Sequence, residues 1–279
     1  MNSTDSQIAS ALGSRLVSAT RIGGGCIHNA RRFSLADGRS VFVKSAAGPH
    51  AALLTAEARA LALLAPHTRV PTLVGDGETP AATRWIALEW LDLHPLTTRS
   101  WHHLGRQLAA LHTTTSPTHG LDHHNFIGST PQSNTPTPSW AAFFRDQRLR
   151  PQLRLARHNG HLLPETDILA SSDHLLANHH PAPALLHGDL WSGNTAALAD
   201  DTSVIFDPAP YFGDPETDLA MLELFGGPLP APFHSGYGPV SPDYPQRKPL
   251  YDLYHALNHL NLFGSGYTSM VRTCLRSIK

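Results

Sequence analysis

The chain has 279 residues, 41% of them apolar, and a formal net charge of −1. That length and composition allow two lobes with a sizeable core and exclude global disorder. A near-neutral chain advertises no basic face for nucleic acid, and no apolar run is long enough to span a bilayer. The opening MNSTDSQIASAL lacks a basic segment followed by an apolar one, so no secretory signal is expected and a cytoplasmic enzyme is the default. Two cysteines, Cys26 and Cys274, are too few for a disulfide framework. Nineteen histidines would make the chain more cationic in mild acid. Their pairs, such as His102-His103 and His179-His180, lack a zinc spacing of the HExxH kind.

In chain order, residues 16 to 44 read as strand, turn, strand, strand. Three consecutive glycines, Gly23 to Gly25, separate the first two, and Asp37-Gly38 is a hairpin signal before SVFVK. HAALLTAEARALALLA, residues 50 to 65, predicts a helix with Leu54, Ala58, Leu61 and Ala65 on one face. WIALEWL, residues 85 to 91, reads as a buried strand. The character then changes. SWHHLGRQLAALH predicts a helix with Leu104, Leu108 and Leu111 in register. Residues 113 to 139 read as a long ordered loop. SWAAFFRDQRLRPQLRLAR and ETDILASSDHLLANHH are helix candidates, and Trp140, Phe143 and Phe144 are packing residues. LLHGDL and SVIFDPA look like short strands, ETDLAMLELF is helical, and LYDLYHALNHLNLF closes as an amphipathic helix. The expected fold is α+β and two-lobed. A small antiparallel-sheet lobe with one main helix spans 1–91, and a larger, mainly helical lobe spans 92–279.

Five features stand in an order that suits phosphoryl transfer. A glycine-rich turn comes first, and glycines let a backbone approach phosphate closely. Lys44 ends a strand and can neutralise phosphate charge, and Glu57 on the following helix can fix that lysine. His187-Gly188-Asp189 and Asn194 follow much later, and Asp207 lies thirteen residues beyond Asn194. An aspartate on a catalytic loop can accept the proton of an attacking hydroxyl. An asparagine and a second aspartate can hold Mg2+ between phosphate oxygens. Each feature alone has a plainer explanation: a turn, a snorkelling lysine, a solvated helix charge, a capping residue. Their joint order and spacing favour the phosphotransferase reading.

The chain resembles the fructosamine kinase (ketosamine 3-kinase) family, a branch of the aminoglycoside-phosphotransferase and protein-kinase-like fold. GGGCIHNA, FVK, LLHGDLWSGN, FDPAPYFGDPETDLAMLELFGG and LYHALNHLNLFGSGY carry the resemblance, with LGRQLAALH, HNFIGSTPQSN and SWAAFFRDQRLRPQL in support. It covers nearly the whole chain. HGDxxxxN alone marks only the superfamily, whereas HGDLWSGN followed by DPAxYFGDPETDLAM is far more specific. The resemblance implies an ATP- and Mg2+-dependent kinase acting on the sugar O3 of small-molecule or protein-linked ketosamines (ribulosamine- or fructosamine-type adducts), in deglycation repair. It implies Asp189 as proton acceptor and Asn194 and Asp207 as metal ligands. Lys44, held by Glu57, would contact the phosphates, Gly24 and Gly25 would lie in the phosphate-cradling turn, and the hinge Glu89-Trp90-Leu91 would meet adenine. Trp191 would line the sugar-amine pocket.

Asp214 and Glu216 are expected near the mouth of the site, where they would favour a cationic substrate. Asp218, near a helix start, is expected to cap or to clamp the catalytic-loop backbone. Cys26, beside the glycines, is a redox candidate, and the resemblance associates it with a redox-sensitive homodimer; a monomer is the alternative. Two other functions remain open on the same residues. One is a kinase for another amino alcohol or an aminoglycoside. The other is a nucleotide-binding pseudokinase, against which the intact set Lys44, Asp189, Asn194 and Asp207 argues.

Overall fold

A computed structural model describes residues 3–23 and 29–278. The first part runs α1 (Ser3–Ala11), β1 (Leu16–Arg21), β2 (Asn29–Leu35), β3 (Ser40–Ala47), α2 (Ala51–Leu64), β4 (Leu73–Glu78) and β5 (Thr83–Glu89). The five strands form one antiparallel sheet in the order β1-β2-β3-β5-β4. Strand alternation divides its two faces. Val41, Val43, Trp85 and Ala87 point one way and pack with Ile8, Leu16 and Phe33 under α1. Ile86 and Leu88 point the other way, into the larger core shared with Leu54, Ala58, Leu61 and Leu64 of α2. Lys44 pairs with Ile86 in the ladder and so shares that second face. Covering both faces explains why WIALEWL is apolar without alternation. Helix α1 has no strong apolar stripe and was not expected, and Leu64 rather than Ala65 completes the buried face of α2.

After a short extended segment the chain becomes mainly helical. It runs α3 (Thr98–His112), β6 (Asn125–Ile127), β7 (Thr130–Gln132), α4 (Trp140–Phe143), a π turn (Phe144–Leu149), α5 (Arg150–His158) and α6 (Glu165–Leu176). Then come β8 (Ala184–Leu185), β9 (Thr195–Ala197), β10 (Ser203–Ile205), β11 (Phe212–Gly213), α7 (Glu216–Gly226), α8 (Ala231–Tyr237), α9 (Tyr244–Phe263) and α10 (Thr268–Ser277). Among the described residues no helix is long and apolar enough to cross a membrane.

Helix α3 begins with a capping box, in which the Thr97 side chain accepts from the Ser100 N–H and the Ser100 hydroxyl reciprocates. Its Leu104, Leu108 and Leu111 are fully buried, as their spacing predicts. Helices α3 and α8 approach so closely that a Cβ on Gly105 would come within 2.3 Å of the Phe233 carbonyl. Three expectations change. The loop at 113 to 139 contains the β6–β7 hairpin, whose paired residues are few and flanked by turn formers. The helix expected from Trp140 onward is interrupted by the π turn. Helix α9 starts earlier than expected and is buried from Leu250 to Asn258 on every side, because α5, α6, α7 and α10 surround it. It is therefore a central helix and not an amphipathic one.

Candidate active site

A cleft of about 580 Å³ lies between the second face of the sheet and the β8–β11 region. Lys44, Glu57, Asp189, Asn194 and Asp207 all line it. The Lys44 ammonium donates to Glu57 Oε1 at 2.7 Å and to Asp207 Oδ1 at 2.6 Å. Burial disfavours its charge, but the carboxylates of Asp207 and Glu57 outweigh that and hold the lysine protonated. Residues 163 positions apart in sequence thus share one contact.

The loop between β8 and β9 is fixed from behind by Asp218, at the start of α7. Asp218 Oδ2 accepts from the His187 N–H at 2.7 Å, and Oδ1 accepts from the Gly188 N–H at 2.9 Å. His112 Nε2 lies 3.3 Å from the same carboxylate, and its Nδ1 lies 2.9 Å from the Tyr237 hydroxyl. The clamp role expected for Asp218 is what the geometry shows. Gly188 adopts φ 81° and sits against the next segment, where a Cβ would meet the Ala209 carbonyl oxygen at 2.0 Å. The His187 ring is buried and held neutral by that burial. Its Nε2–H donates to the Phe206 carbonyl at 3.1 Å, and Nδ1 accepts from the Asp189 N–H at 3.3 Å, which sets the tautomer. With the Phe206 N–H donating to the Asn194 carbonyl at 3.1 Å, the loop and the Phe206–Ala209 segment are cross-linked on both sides of Asp189.

Asp189 itself faces the cleft and is partly buried. Burial first, then the negative charges of Asp207 and Asp218, push its carboxyl up to about 7. Asn194 ends a 3-10 turn; its Nδ2–H donates to the Asp189 carbonyl at 2.9 Å, which leaves Oδ1 without a donor among the described residues. Asp207 has φ 56°, a left-handed conformation that is uncommon outside glycine and that places its half-exposed side chain in the cleft. A carboxylate, an amide oxygen and a second carboxylate on one wall form a hard-oxygen donor set, which suits Mg2+.

A family model for fructosamine kinase matches residues 1–279. The chain belongs to the fructosamine kinase family. A protein assigned as a ketoamine kinase in Synechocystis is 44% identical over 94% of this chain and 92% of its own length. The chloroplastic protein-ribulosamine 3-kinase of Arabidopsis thaliana is 39% identical over 89% of this chain and 78% of its own. The crystal structure of a protein assigned as a fructosamine-3-kinase from Thermobifida fusca superposes with a TM-score of 0.86, at 33% identity and 98% coverage of both chains. The choline kinase of Streptococcus pneumoniae, at 15% identity and a TM-score of 0.68 over 99% of this chain and 97% of its own, shares the fold.

The remaining expected residues differ in where they lie. Glu89, Trp90 and Leu91 line the cleft at the end of β5. The Glu89 side chain turns away from the backbone edge and accepts from Arg69 at 2.5 Å and from the Thr72 N–H at 2.6 Å. Trp191 lines the cleft and is 38% exposed. Gly24, Gly25 and Cys26 lie outside the described residues.

Asp214 and Glu216 require correction: they are buried and do not line this cleft. Asp214 accepts from the Tyr251 hydroxyl at 2.6 Å and lies 2.6 Å from His179 Nε2, while Glu216 forms a two-point ion pair with Arg247 at 2.7 and 2.8 Å. Both carboxylates are consumed by partners inside the helical part, so they cannot set the charge of the mouth. Asn258 and Asn261 likewise serve the core, bonding Gln152.

Sequence reasoning passed over the β6–β7 hairpin. Asn125, Phe126 and Gly128 line the cleft. Behind them, Asn125 and Gln132 donate to the Pro210 and Ala209 carbonyls at 2.8 and 3.0 Å, directly after Asp207-Pro208. The fully buried Arg148 anchors this network through Asn134 at 2.7 Å and lies 3.9 Å over the Tyr211 ring. The hairpin lies within HNFIGSTPQSN, which supports the resemblance, but its amides, Asn125, Gln132 and Asn134, stand in a turn-rich segment, where amides are ordinary.

Proposed function

We propose that the chain is an ATP- and Mg2+-dependent ketosamine 3-kinase. It would phosphorylate the sugar O3 of ribulosamine- or fructosamine-type adducts and so start their removal from amines. One observation supports this above all: Lys44 and Glu57 from the sheet part, and Asp189, Asn194 and Asp207 from the helical part, converge on one cleft. Residues 1–91 would hold the nucleotide, with the Glu89 and Leu91 backbone meeting adenine, and residues 92–279 would hold the sugar.

In this reading Asp207 and the Asn194 amide oxygen hold Mg2+, which neutralises phosphate charge when bound. Lys44, already charged and fixed by Glu57, exchanges its contact with Asp207 for phosphate oxygens. Asp189 accepts the O3 proton as the hydroxyl attacks, and its carbonyl is pinned by Asn194 so that the carboxylate keeps its direction. A carboxyl raised to about 7 is a stronger base than an ordinary aspartate, and a basicity near working pH favours proton transfer. Trp191, two residues on, would wall the sugar, since a flat aromatic face suits the C–H side of a sugar ring and attracts a nearby ammonium.

The test is a phosphorylation assay with ribulose-, erythrulose- and fructose-derived amines, read by the position of the phosphate. Product phosphorylated at O3 is the expected result. Turnover of a simple amino alcohol or an aminoglycoside, with no ketosamine turnover, would overturn the substrate assignment. ATP binding without any turnover would favour a pseudokinase.

A further inference from the structure

His112 is the last residue of α3, and Tyr237 is the last residue of α8. A histidine in the last turn of a helix ordinarily serves that helix's own end, where positive charge is favoured. His112 is instead buried, and its two ring nitrogens face residues 106 and 125 positions further along the chain. Nε2 lies 3.3 Å from Asp218 Oδ2, and Nδ1 lies 2.9 Å from the Tyr237 hydroxyl. The two rings meet edge to face, with centroids 5.7 Å apart. The tight approach of α3 and α8 fixes this meeting. A Cβ on Gly236, beside Tyr237, would lie 2.2 Å from the His102 carbonyl oxygen. Backbone packed that closely leaves the two helix ends little freedom to slide.

The neighbours assign the hydrogen-bond roles. Burial disfavours the charge of Asp218, but His112 and the Gly188 N–H outweigh it and hold the carboxyl below its ordinary value. An ionised carboxylate only accepts, so Nε2 carries a proton and donates it. Burial, then the negative charges of Asp218, Asp214 and Glu216, push the Tyr237 hydroxyl up, so it keeps its proton and can donate to Nδ1. Asp218 Oδ2 thus accepts from His112 and from the His187 N–H, while Oδ1 accepts from the Gly188 N–H. At 1% exposure the carboxylate has little access to water that could replace a lost donor. Asp189 follows Gly188 directly, so a rotation of the Asp218 carboxylate reaches the cleft through a single peptide unit.

We propose that His112 is a positioning residue for phosphoryl transfer: backed by Tyr237, it fixes the rotation of the Asp218 carboxylate and, through the His187 and Gly188 N–H groups, the aim of Asp189. The inference rests on the reading of Asp189 as the base. His112 does not line the cleft, so its loss acts on the placement of the base and not on nucleotide binding. His112 and Tyr237 line a second cavity of about 270 Å³, with Ala184, Leu219 and Val240 among its other walls. That cavity shares no lining residue with the cleft. The back of the catalytic loop is therefore reachable by a small molecule that never enters the nucleotide site.

The experiment measures kcat and the KM for ATP on a saturating ribulose-derived amine, with and without added imidazole. His112→Ala should lower kcat by about 10–100-fold, since misplacement on the order of 1 Å can cost about 10²-fold. The KM for ATP should stay nearly unchanged. Free imidazole, entering the enlarged cavity, should restore much of the lost rate. His112→Phe fills the same space without a nitrogen, so it should show the loss and no rescue. His112→Gln should keep more kcat than His112→Asn, because the longer amide reaches the Nε2 position against Asp218 and the shorter one stops at the Nδ1 position against Tyr237. That pair carries the test if His112→Ala does not fold. Native-like kcat in His112→Phe, equal kcat in the Gln and Asn variants, or a folded His112→Ala that ignores imidazole overturns the positioning role while leaving the kinase reading intact. Absence of turnover in wild type overturns both together.

Discussion

At the scale of single residues, the site depends on one carboxylate facing the cleft and another behind it. If Asp189 is the base, as proposed, Asp189→Asn keeps shape and removes it, so nucleotide binding should persist while kcat falls by about 10²–10⁴-fold. Isothermal titration with nucleotide beside steady-state kinetics checks this, and near-native kcat would remove Asp189 from the role. The Asp218 carboxylate hydrogen-bonds the loop backbone and His112. Asp218→Ala leaves two buried N–H groups unpaired, at about 1–3 kcal/mol each, and releases the loop that aims Asp189. Urea unfolding should show the loss in stability, and kcat should fall more than the KM for ATP rises. Trp191→Ala should lower ketosamine kcat/KM by roughly one to three orders of magnitude, through lost aromatic contact and misplacement of O3, with ATP affinity nearly unchanged. Parallel losses for both substrates would mark Trp191 as a packing residue. Cys274 is buried and its thiol is pushed up to about 12, mainly by burial, so it is a poor oxidant target. An oxidant response, if measured, therefore points to Cys26.

At the scale of elements, close approach matters more than propensity. Helices α3 and α8 meet at Gly105 and Gly236, where a Cβ on either would run into backbone of the other helix at 2.3 or 2.2 Å. Gly105→Ala raises helix propensity, yet it should destabilise the protein by about 1–3 kcal/mol, because backbone cannot rotate away as a side chain can. A lower urea midpoint at unchanged m-value is the expected measurement. The strands and the long helices were legible from period and turn signals: β3, β5, α2 and α3 stand close to where their patterns place them. The π turn, the β6–β7 hairpin and α8 were not, since each is short and owes its form to partners elsewhere. Arg148 illustrates the point: a charged residue in a helical pattern reads as surface, but the π turn carries it into the core beneath Tyr211.

At the scale of the whole molecule, the central helix α9 carries a buried histidine whose protonation the fold resists. His255 is 3% exposed, its Nδ1 has no hydrogen-bond partner among the described residues, and burial lowers it from 6.5 to about 3. The unfolded chain binds this proton near pH 6.5 and the native state does not, so this stability is present above pH 6.5 and is lost as pH falls toward 3. Asp252, raised by burial to about 6, acts in the opposite sense, because the native state takes its proton first. A comparison with His255→Leu isolates the histidine. Between pH 6.5 and 4 the variant should lose less stability than wild type, by about 1.4 kcal/mol per pH unit. Parallel pH profiles from urea unfolding would show that His255 is not held neutral.

The sequence by itself determined the sheet-then-helix order, the paired use of Lys44 and Glu57, and the local constellation of Asp189 and Asn194. These depend on nearby residues: strand alternation sets the direction of Lys44, and one tight loop joins Asp189 to Asn194. Only the tertiary structure decided which acids face the cleft. Asp207 and Asp214 lie seven positions apart in one stretch of similar composition. The left-handed turn at Asp207 aims it at Lys44, while the pairing of β11 with β8 carries Asp214 inward to Tyr251 and His179. A carboxylate's role depends on what surrounds it in space, and its neighbours here come from segments distant in sequence.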